Sequence, residues 1–256
     1  MIHKTAIIDS GAELGQGVEI GAYSVVGPGV TIGTHTKIGS HVVIKGPTAI
    51  GERCAIFPFS SLGDAPQDLK YKGGETTLFV GNDNVIREYV TINRGTEEGK
   101  GKTVVGNNNF FMAYSHIAHD CDIGNYVIMA NAATLAGHIT IEEHAIIGGL
   151  VAIHQFVKVG RNSFIGGCSA IPQDVPPYCL AVGNRARLYG LNLTGLKRHN
   201  FPPQTIKNLK DAYRIIFRSG FTLKEALERV EQNTKNSPEV TYFVEFIKQS
   251  KRGIIR

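Results

Sequence analysis

The 256-residue chain has no tryptophan and only four cysteines (Cys54, Cys121, Cys168, Cys179), none in CxxC spacing. The absence of that spacing argues against zinc ribbons and thioredoxin-type redox motifs, and two of the four fall at small-residue slots inside a six-residue repeat. Buried free thiols in a reducing, cytoplasmic setting are expected. No window approaches the roughly 20 apolar residues of a membrane span, so stable membrane insertion is not expected. The N-terminus, Met1-Ile2-His3-Lys4-Thr5, lacks the apolar core of a signal peptide. Ten prolines are too few for a disordered chain. No aromatic-interleaved basic strip is present, which argues against nucleic acid as a partner.

What the chain has is a beat. A large apolar residue recurs every sixth position: Ile2, Ile8, Leu14, Ile20, Val26, Ile32, Ile38, Ile44, Ile50, Ile56, Leu62, then Val80, Ile86 and Ile92 in the same phase. It slips by one residue and runs on from Val105 through Phe111, Ile117, Ile123, Met129, Leu135, Ile141, Ile147, Ile153, Val159 and Ile165 to Ile171. A period of six fits neither a helix nor an ordinary paired strand. It marks a parallel β-helix of hexapeptide repeats. With the large residue at position one, position five is usually small or β-branched, as at Ala6, Ser24, Thr36, Cys54, Ser60, Ser115, Cys121 and Ala133. One large and one small side chain per strand suit a narrow triangular interior. Three hexads make a turn of 18 residues, stacked at about 4.8 Å, and no turn can bury a core without its neighbours.

Two insertions break the beat, at 63–79 and 94–104, and such loops usually gather on one face, often the binding face. The repeat ends near Ile171, where Pro172, Pro176 and Pro177 remove backbone donors. Beyond Pro202-Pro203 the period turns helical, with Ile206, Leu209, Ala212, Tyr213, Ile216 and Phe217 on one face. Gly220 closes that helix, Thr222 and Glu225 form a capping box for a second, and Ser237-Pro238-Glu239 starts a third. The expected architecture is mainly β: a parallel β-helix over 1–190, then a small α-helical domain over 191–256. Net charge is +5 and uneven. From Asn192 onward there are thirteen Lys and Arg against six Asp and Glu, whereas the preceding part holds fourteen against sixteen. The tail is either a set of solvated helix faces or a docking surface for an acidic partner.

Histidines cluster in the second half: His116, His119, His138, His144 and His154. On an 18-residue turn, His119 stacks under Gly137 and Asp120 under His138. None of His119, Gly137 and His138 is a core slot, so they should face outward. Two chemistries compete. In one, His119 is a general base whose tautomer Asp120 fixes, and the Gly137 N–H binds an oxyanion. In the other, three imidazoles hold a metal, but no further carboxylate or histidine is arranged to hold each ligand.

Several segments resemble UDP-N-acetylglucosamine acyltransferases. They are His116-Ile117-Ala118-His119-Asp120-Cys121, Asn131-Ala132-Ala133-Thr134-Leu135-Ala136-Gly137-His138, Ile153-His154-Gln155-Phe156, Gly166-Gly167-Cys168-Ser169, Gln67-Asp68-Leu69-Lys70-Tyr71, Gln173-Asp174-Val175-Pro176-Pro177 and Gly195-Leu196-Lys197-Arg198. The match covers essentially the whole chain. It implies a left-handed β-helix, unusual against the right-handed crossover rule, and a homotrimer with active sites between subunits. It implies transfer of a 3-hydroxyacyl chain from acyl carrier protein to the glucosamine 3-position, the first step of lipid A synthesis. His119 would be the base, oriented by Asp120, with Gly137 as oxyanion donor. His116, His138, His154 and Gln155 would position donor and nucleotide sugar. Asp68 and Lys70 would hold the acyl hydroxyl and nearby polar groups, and Asn192 and Arg198 would lie by the nucleotide or carrier. Gly167 would leave the acyl channel open to longer chains. No metal or redox cofactor is implied, because the thioester is already activated.

The sequence departs from the family pattern at two places. Asn93 stands where many members carry histidine, and His199 where a second arginine is common. Some members acylate a 3-amine, and the residues leave ester or amide open. A related glucosamine N-acyltransferase normally carries a domain ahead of its hexads, which here begin at Ile2. A non-catalytic β-helix would leave the stacking of His119 with Gly137 unexplained.

Overall fold

An apolar residue at every sixth position can be buried only if the chain turns a corner between successive hits. In the computed structural model, which describes residues 1–233 and 237–256, strands of two to five residues wind into three sheets. Sheet I has nine strands, from Ile7–Ile8 to Ala170–Ile171. Sheet II has eight, from Glu13–Leu14 to Lys158–Val159, and sheet III ten, from Glu19–Ile20 to Arg187–Leu191. All pairings are parallel except the last, where Cys179–Val182 meets Arg187–Leu191 antiparallel. The coil is the left-handed β-helix that the resemblance implies. Its register follows the 18-residue ruler: Ile8 pairs with Val26, Val26 with Ile44 and Ile44 with Leu62.

The interior is filled as the large–small alternation requires. Ile44, Leu62, Ile86, Phe111, Ile117 and Met129 are fully enclosed. So are the position-five residues Ser24 and Thr36, with Ser60 nearly so. Their hydroxyls are not stranded there. Ser24 donates to Gly39 O at 2.7 Å, Thr36 to Gly51 O at 2.8 Å and Ser60 to Arg87 O at 2.9 Å. Each therefore ties one coil to the next, which is how a polar group is tolerated at this slot.

The corners show a regularity that the hexad pattern did not reveal. Position four adopts the left-handed backbone conformation, with φ of 58° at Tyr23, His41 and Asp120, 61° at His138 and 66° at Phe156. This conformation costs a non-glycine residue roughly 1–2 kcal/mol. Two contacts offset it. The position-four N–H donates to the position-three carbonyl of the coil before, as from His41 to Ala22 at 2.9 Å and from His138 to His119 at 3.0 Å. The side chains then stack along the corner. Between sheets III and I, Tyr23, His41, Phe59, Tyr89 and Tyr114 form a ladder with ring centroids 4.9–5.2 Å apart. Cys168 occupies the same corner and is exposed, contrary to the expectation of buried thiols, because position four points outward. Cys54, Cys121 and Cys179 are buried.

Both insertions leave from one corner, between sheets I and II. Ile50 pairs with Val80, and Val80 with Val105, so the two loops add twelve and seven residues to the usual eighteen. Twelve is a multiple of six and preserves the phase of the beat, whereas seven shifts it by one. The loops proper are shorter than the sequence suggested, because strands Ser61–Asp64, Thr77–Val80 and Lys102–Val105 claim their flanks.

After the antiparallel strand come four helices: α1 (Leu193–Arg198), α2 (Pro203–Arg218), α3 (Leu223–Asn233) and α4 (Pro238–Gln249). The sequence reading missed α1, which is short and contains Gly195. The side chain of Asn192 caps it, accepting from Gly195 N at 3.0 Å. The face expected on α2 is the buried one, and Thr222 and Glu225 bond reciprocally ahead of α3. Helix α4 is fixed to sheet II by Tyr242, whose hydroxyl donates to Glu142 while Arg161 lies 3.6 Å over its ring. Among the described residues no helix is long and apolar enough to cross a membrane.

Candidate active site

Three successive coils contribute to the corner between sheets I and II, through residues 118–120, 136–138 and 154–156, and both loops fold over it. The result is a cavity of about 710 Å³. It is lined by Gln67, Asp68 and Lys70 of the first loop, Thr96, Glu98 and Gly99 of the second, and His119, His138, Gln155 and Phe156 of the corner. The ruler placed Gly137 beside His119, and it is there. A Cβ on Gly137 would lie 2.5 Å from His119 Cε1, so only glycine fits. The expectation of outward-facing residues holds only relative to the prism core. Gly137 is buried, and His119 and His138 are mostly covered, because the loops close over the corner.

Asp120 organises the site. It is fully buried, yet its carboxylate accepts from Thr96 Oγ1 at 2.6 Å, Thr96 N at 3.1 Å and Lys100 N at 2.8 Å, all from the second loop. Its own N–H donates to Thr103 Oγ1 at 2.8 Å. Burial pushes its pKa up, but the Thr96 hydroxyl, His119 and the two backbone N–H groups outweigh burial and hold it below the usual carboxylate range. An ionised carboxylate can only accept. His119 Nδ1, 2.8 Å from Asp120 Oδ2, must therefore be the donor, which leaves Nε2 with its lone pair. Gly99 permits this closure, since a Cβ there would lie 2.5 Å from the Asp120 carboxylate.

His138 stands edge-on to His119 at 5.1 Å and stacks on Phe156 at 4.6 Å. Its Nε2 is 3.8 Å from Asp120 Oδ2, too far for a hydrogen bond, and burial lowers its pKa. His119, Asp120 and His138 together have the donor types of a metal site. Their geometry is that of a hydrogen-bonded pair, because His119 Nδ1 is in direct contact with the oxygen an ion would need and that oxygen already serves Thr96.

The loops are also tied to each other. Arg94, at the root of the second loop, donates from Nε and Nη2 to Tyr71 Oη at 3.2 and 3.0 Å, and from Nη1 to Gly63 O and Gly46 O at 3.2 and 3.0 Å. Asn93 donates to Ala65 O at 2.9 Å, so the departure from histidine serves the loop base here. Lys70 Nζ reaches Glu98 at 3.8 Å, and Asp68 accepts from Lys70 N at 3.0 Å.

Other expected site residues lie apart from this cavity within one chain. His116 is on the outer face of sheet I, 2.7 Å from Thr91 Oγ1, and burial and the neighbouring His119 lower its pKa. His154 faces a second cavity of about 460 Å³ with Arg185 and Arg252. Asn192 caps α1 and also donates to Asn162 O at 3.0 Å. Arg198 is exposed at the end of α1, beside His199, which packs on His144 at the corner between sheets II and III. Gly167 is exposed at the corner between sheets III and I. Sequence reasoning missed Thr96, Thr103, Arg94 and Phe156. The ruler could have found Phe156, eighteen residues after His138, but Arg94 and Thr96 lie outside the repeat, and Thr103 falls in the stretch that the sequence assigns to the second insertion although it pairs with Leu78.

Known proteins resemble the chain over its whole length. Residues 174–255 match a family described as UDP-N-acetylglucosamine O-acyltransferase, domain 2, and residues 1–34, 11–46 and 102–137 match the bacterial transferase hexapeptide family. A curated relative from Thermodesulfovibrio yellowstonii, named acyl-[acyl-carrier-protein]–UDP-N-acetylglucosamine O-acyltransferase, is 55% identical, covering 100% of this chain and 99% of its own. One of the same name from Alkalilimnicola ehrlichii is 52% identical with the same coverage. Among solved structures, LpxA from Acinetobacter baumannii superposes with a TM-score of 0.97 at 45% identity, covering 100% of this chain and 99% of its own. The UDP-N-acetylglucosamine acyltransferase of Bacteroides fragilis does so with a TM-score of 0.98 at 43% identity, covering 100% of both chains. With its full length matched at this identity and its corner site built on the same hexapeptide scaffold, the chain belongs to the UDP-N-acetylglucosamine O-acyltransferase family.

Proposed function

We propose that the chain transfers a 3-hydroxyacyl group from acyl carrier protein to the glucosamine 3-position of UDP-N-acetylglucosamine, the first step of lipid A synthesis. The observation that carries the chemistry is the 2.8 Å contact of His119 Nδ1 with the Asp120 acceptor at the edge of the 710 Å³ cavity, which leaves Nε2 its lone pair. Nε2 takes the proton of the sugar 3-hydroxyl as its oxygen attacks the thioester carbonyl. The oxyanion that forms is held by the Gly137 N–H. The intermediate collapses by breaking the C–S bond, and His119 returns the proton to the departing pantetheine thiolate. Asp68 and Lys70 hold the acyl hydroxyl from the first loop, and His138, Gln155 and His154 position donor and sugar. The thioester supplies the activation, so no metal or redox cofactor takes part, and the reaction belongs in the cytoplasm.

In this reading the working unit is a homotrimer. Gly167, Asn192 and Arg198 lie away from the His119 cavity within one chain, and Leu69, on the loop above that cavity, is wholly exposed. A second copy would bring the first three to the cavity and cover Leu69. Lys197 and Arg198, exposed in the last turn of α1, dock the acidic carrier so that its arm enters the cleft between copies.

Incubation with 3-hydroxyacyl carrier protein and UDP-N-acetylglucosamine should give product whose mass identifies acceptor and chain length, and His119→Ala should lower kcat on the order of 10²–10⁴-fold. Full-rate transfer by that variant would sink the mechanism. Sedimentation equilibrium should give about three times the 27.8 kDa chain mass, and a monomer would remove the shared-cleft reading. Reversing the charges of Lys197 and Arg198 should raise KM for the carrier steeply at low salt, and an unchanged KM would count against docking there. Gly167→Met should move selectivity toward shorter acyl chains, whereas an unshifted profile would show that this corner does not line the acyl channel.

A further inference from the structure

His154 is held by a residue 98 positions away. After α4 the chain doubles back along the last coil of the β-helix as a strap. Asp174, nearly fully buried, is its anchor. The Asp174 carboxylate accepts from Ser250 Oγ at 2.6 Å and from Lys158 N at 2.8 Å. Its N–H donates to Gly253 O at 2.9 Å, and its carbonyl accepts from Ile255 N at 3.1 Å. Asp174 and Ile254 form a parallel bridge. Gly253 makes the turn at φ +82°, a conformation that suits glycine, and a Cβ there would also meet Gln173 Nε2 at 2.7 Å.

The strap delivers Arg252 to the sheet I face of the coil. Its Nε donates to Pro172 O at 2.8 Å, which fixes the plane of the guanidinium. Its Nη2 then lies 2.8 Å from His154 Nδ1. A guanidinium has only donors, so Nδ1 must be the acceptor and carry the lone pair. The 3.3 Å approach of the same Nδ1 to Gln155 O then sets lone pair against lone pair and is no hydrogen bond. The proton of the neutral ring has one place left, Nε2.

We infer that Arg252 is a positioning residue that locks His154 as the Nε2–H tautomer, so that this ring offers the substrates a donor and never an acceptor. His119 has the opposite arrangement. There a carboxylate accepts from Nδ1–H and leaves Nε2 a base, whereas here a cation donates to the Nδ1 lone pair and leaves Nε2 a hydrogen-bond donor. Two histidines, two coils apart along the same sheet, are thus assigned opposite hydrogen-bonding roles by partners of opposite charge. The consequence for catalysis rests on the proposed place of His154 in substrate binding.

The test is long-range ¹H–¹⁵N correlation on the full chain labelled at histidine, with His154→Gln to assign the resonance. In the unsubstituted protein at alkaline pH, His154 Nδ1 should resonate as a pyridine-type nitrogen and Nε2 as a pyrrole-type one. Arg252→Met should let the two shifts converge toward the tautomer average, Arg252→Lys should hold them apart, and the other histidines should be unmoved, which also shows that the fold is retained. A pyrrole-type Nδ1 in the unsubstituted protein, or unchanged shifts in Arg252→Met, would overturn the assignment. In the transfer assay Arg252→Met should raise KM for the carrier or the nucleotide sugar about tenfold with kcat nearly kept, and Arg252→Lys should recover most of it. A converged tautomer with both KM values unchanged would overturn the role of His154 in binding. Absence of transfer by the unsubstituted protein would instead count against the acyltransfer reading, which the spectra do not depend on.

Discussion

Each coil of this protein makes its strand hydrogen bonds to the coils on either side, and the 18-residue register of that stacking governs everything else. A strand of two residues has no stability alone. Ile8, Val26, Ile44 and Leu62 are held in a column because each coil's backbone donors and acceptors match the next. The same register carries polar groups. Position-five hydroxyls reach carbonyls of the adjoining coil, and the strained position-four corner is relieved by a bond to the coil before it. A core only one large and one small residue wide therefore accommodates the hydroxyls of Ser24, Thr36 and Ser60 without stranding them.

The site exploits that register where it is interrupted. At the corner between sheets I and II, stacking puts His119 against Gly137, and His138 against Phe156. Stacking alone would leave this corner open to water. The two loops leave from the same corner, and the second covers Asp120 and supplies the Thr96 and Lys100 groups that keep it ionised in a buried place. Arg94 ties the loop that holds Asp120 to the loop that carries Asp68 and Lys70. The orientation of His119 and the placement of the first loop thus share one support.

Much of this was legible beforehand, for a physical reason. In a periodic stack, contact is arithmetic, so the neighbours of His119 and Asp120 follow from counting eighteen. The phase of the interruptions was readable too, since the first keeps the beat and the second shifts it, but the twelve and seven added residues follow only from the strand register. Other features left no periodic trace. The outward corner position of Cys168 has no counterpart in the large-and-small alternation, which marks only the inward slots of the hexad. Helix α1 went unread because six residues around Gly195 show no apolar period, and Asn192, expected by the nucleotide or carrier, is in one chain the cap of that helix.

The sequence by itself determined the coil, the large-and-small filling of its interior, and the meeting of His119, Asp120, Gly137 and His138, because each of these repeats at fixed spacing. Tertiary structure alone decided which partners reach the pair of His119 with Asp120, and which reach His154. Thr96 reaches Asp120 across a loop and Arg252 reaches His154 from the far end of the chain. Contacts of that kind depend on where a non-repeating segment folds back, and no period in the sequence encodes them.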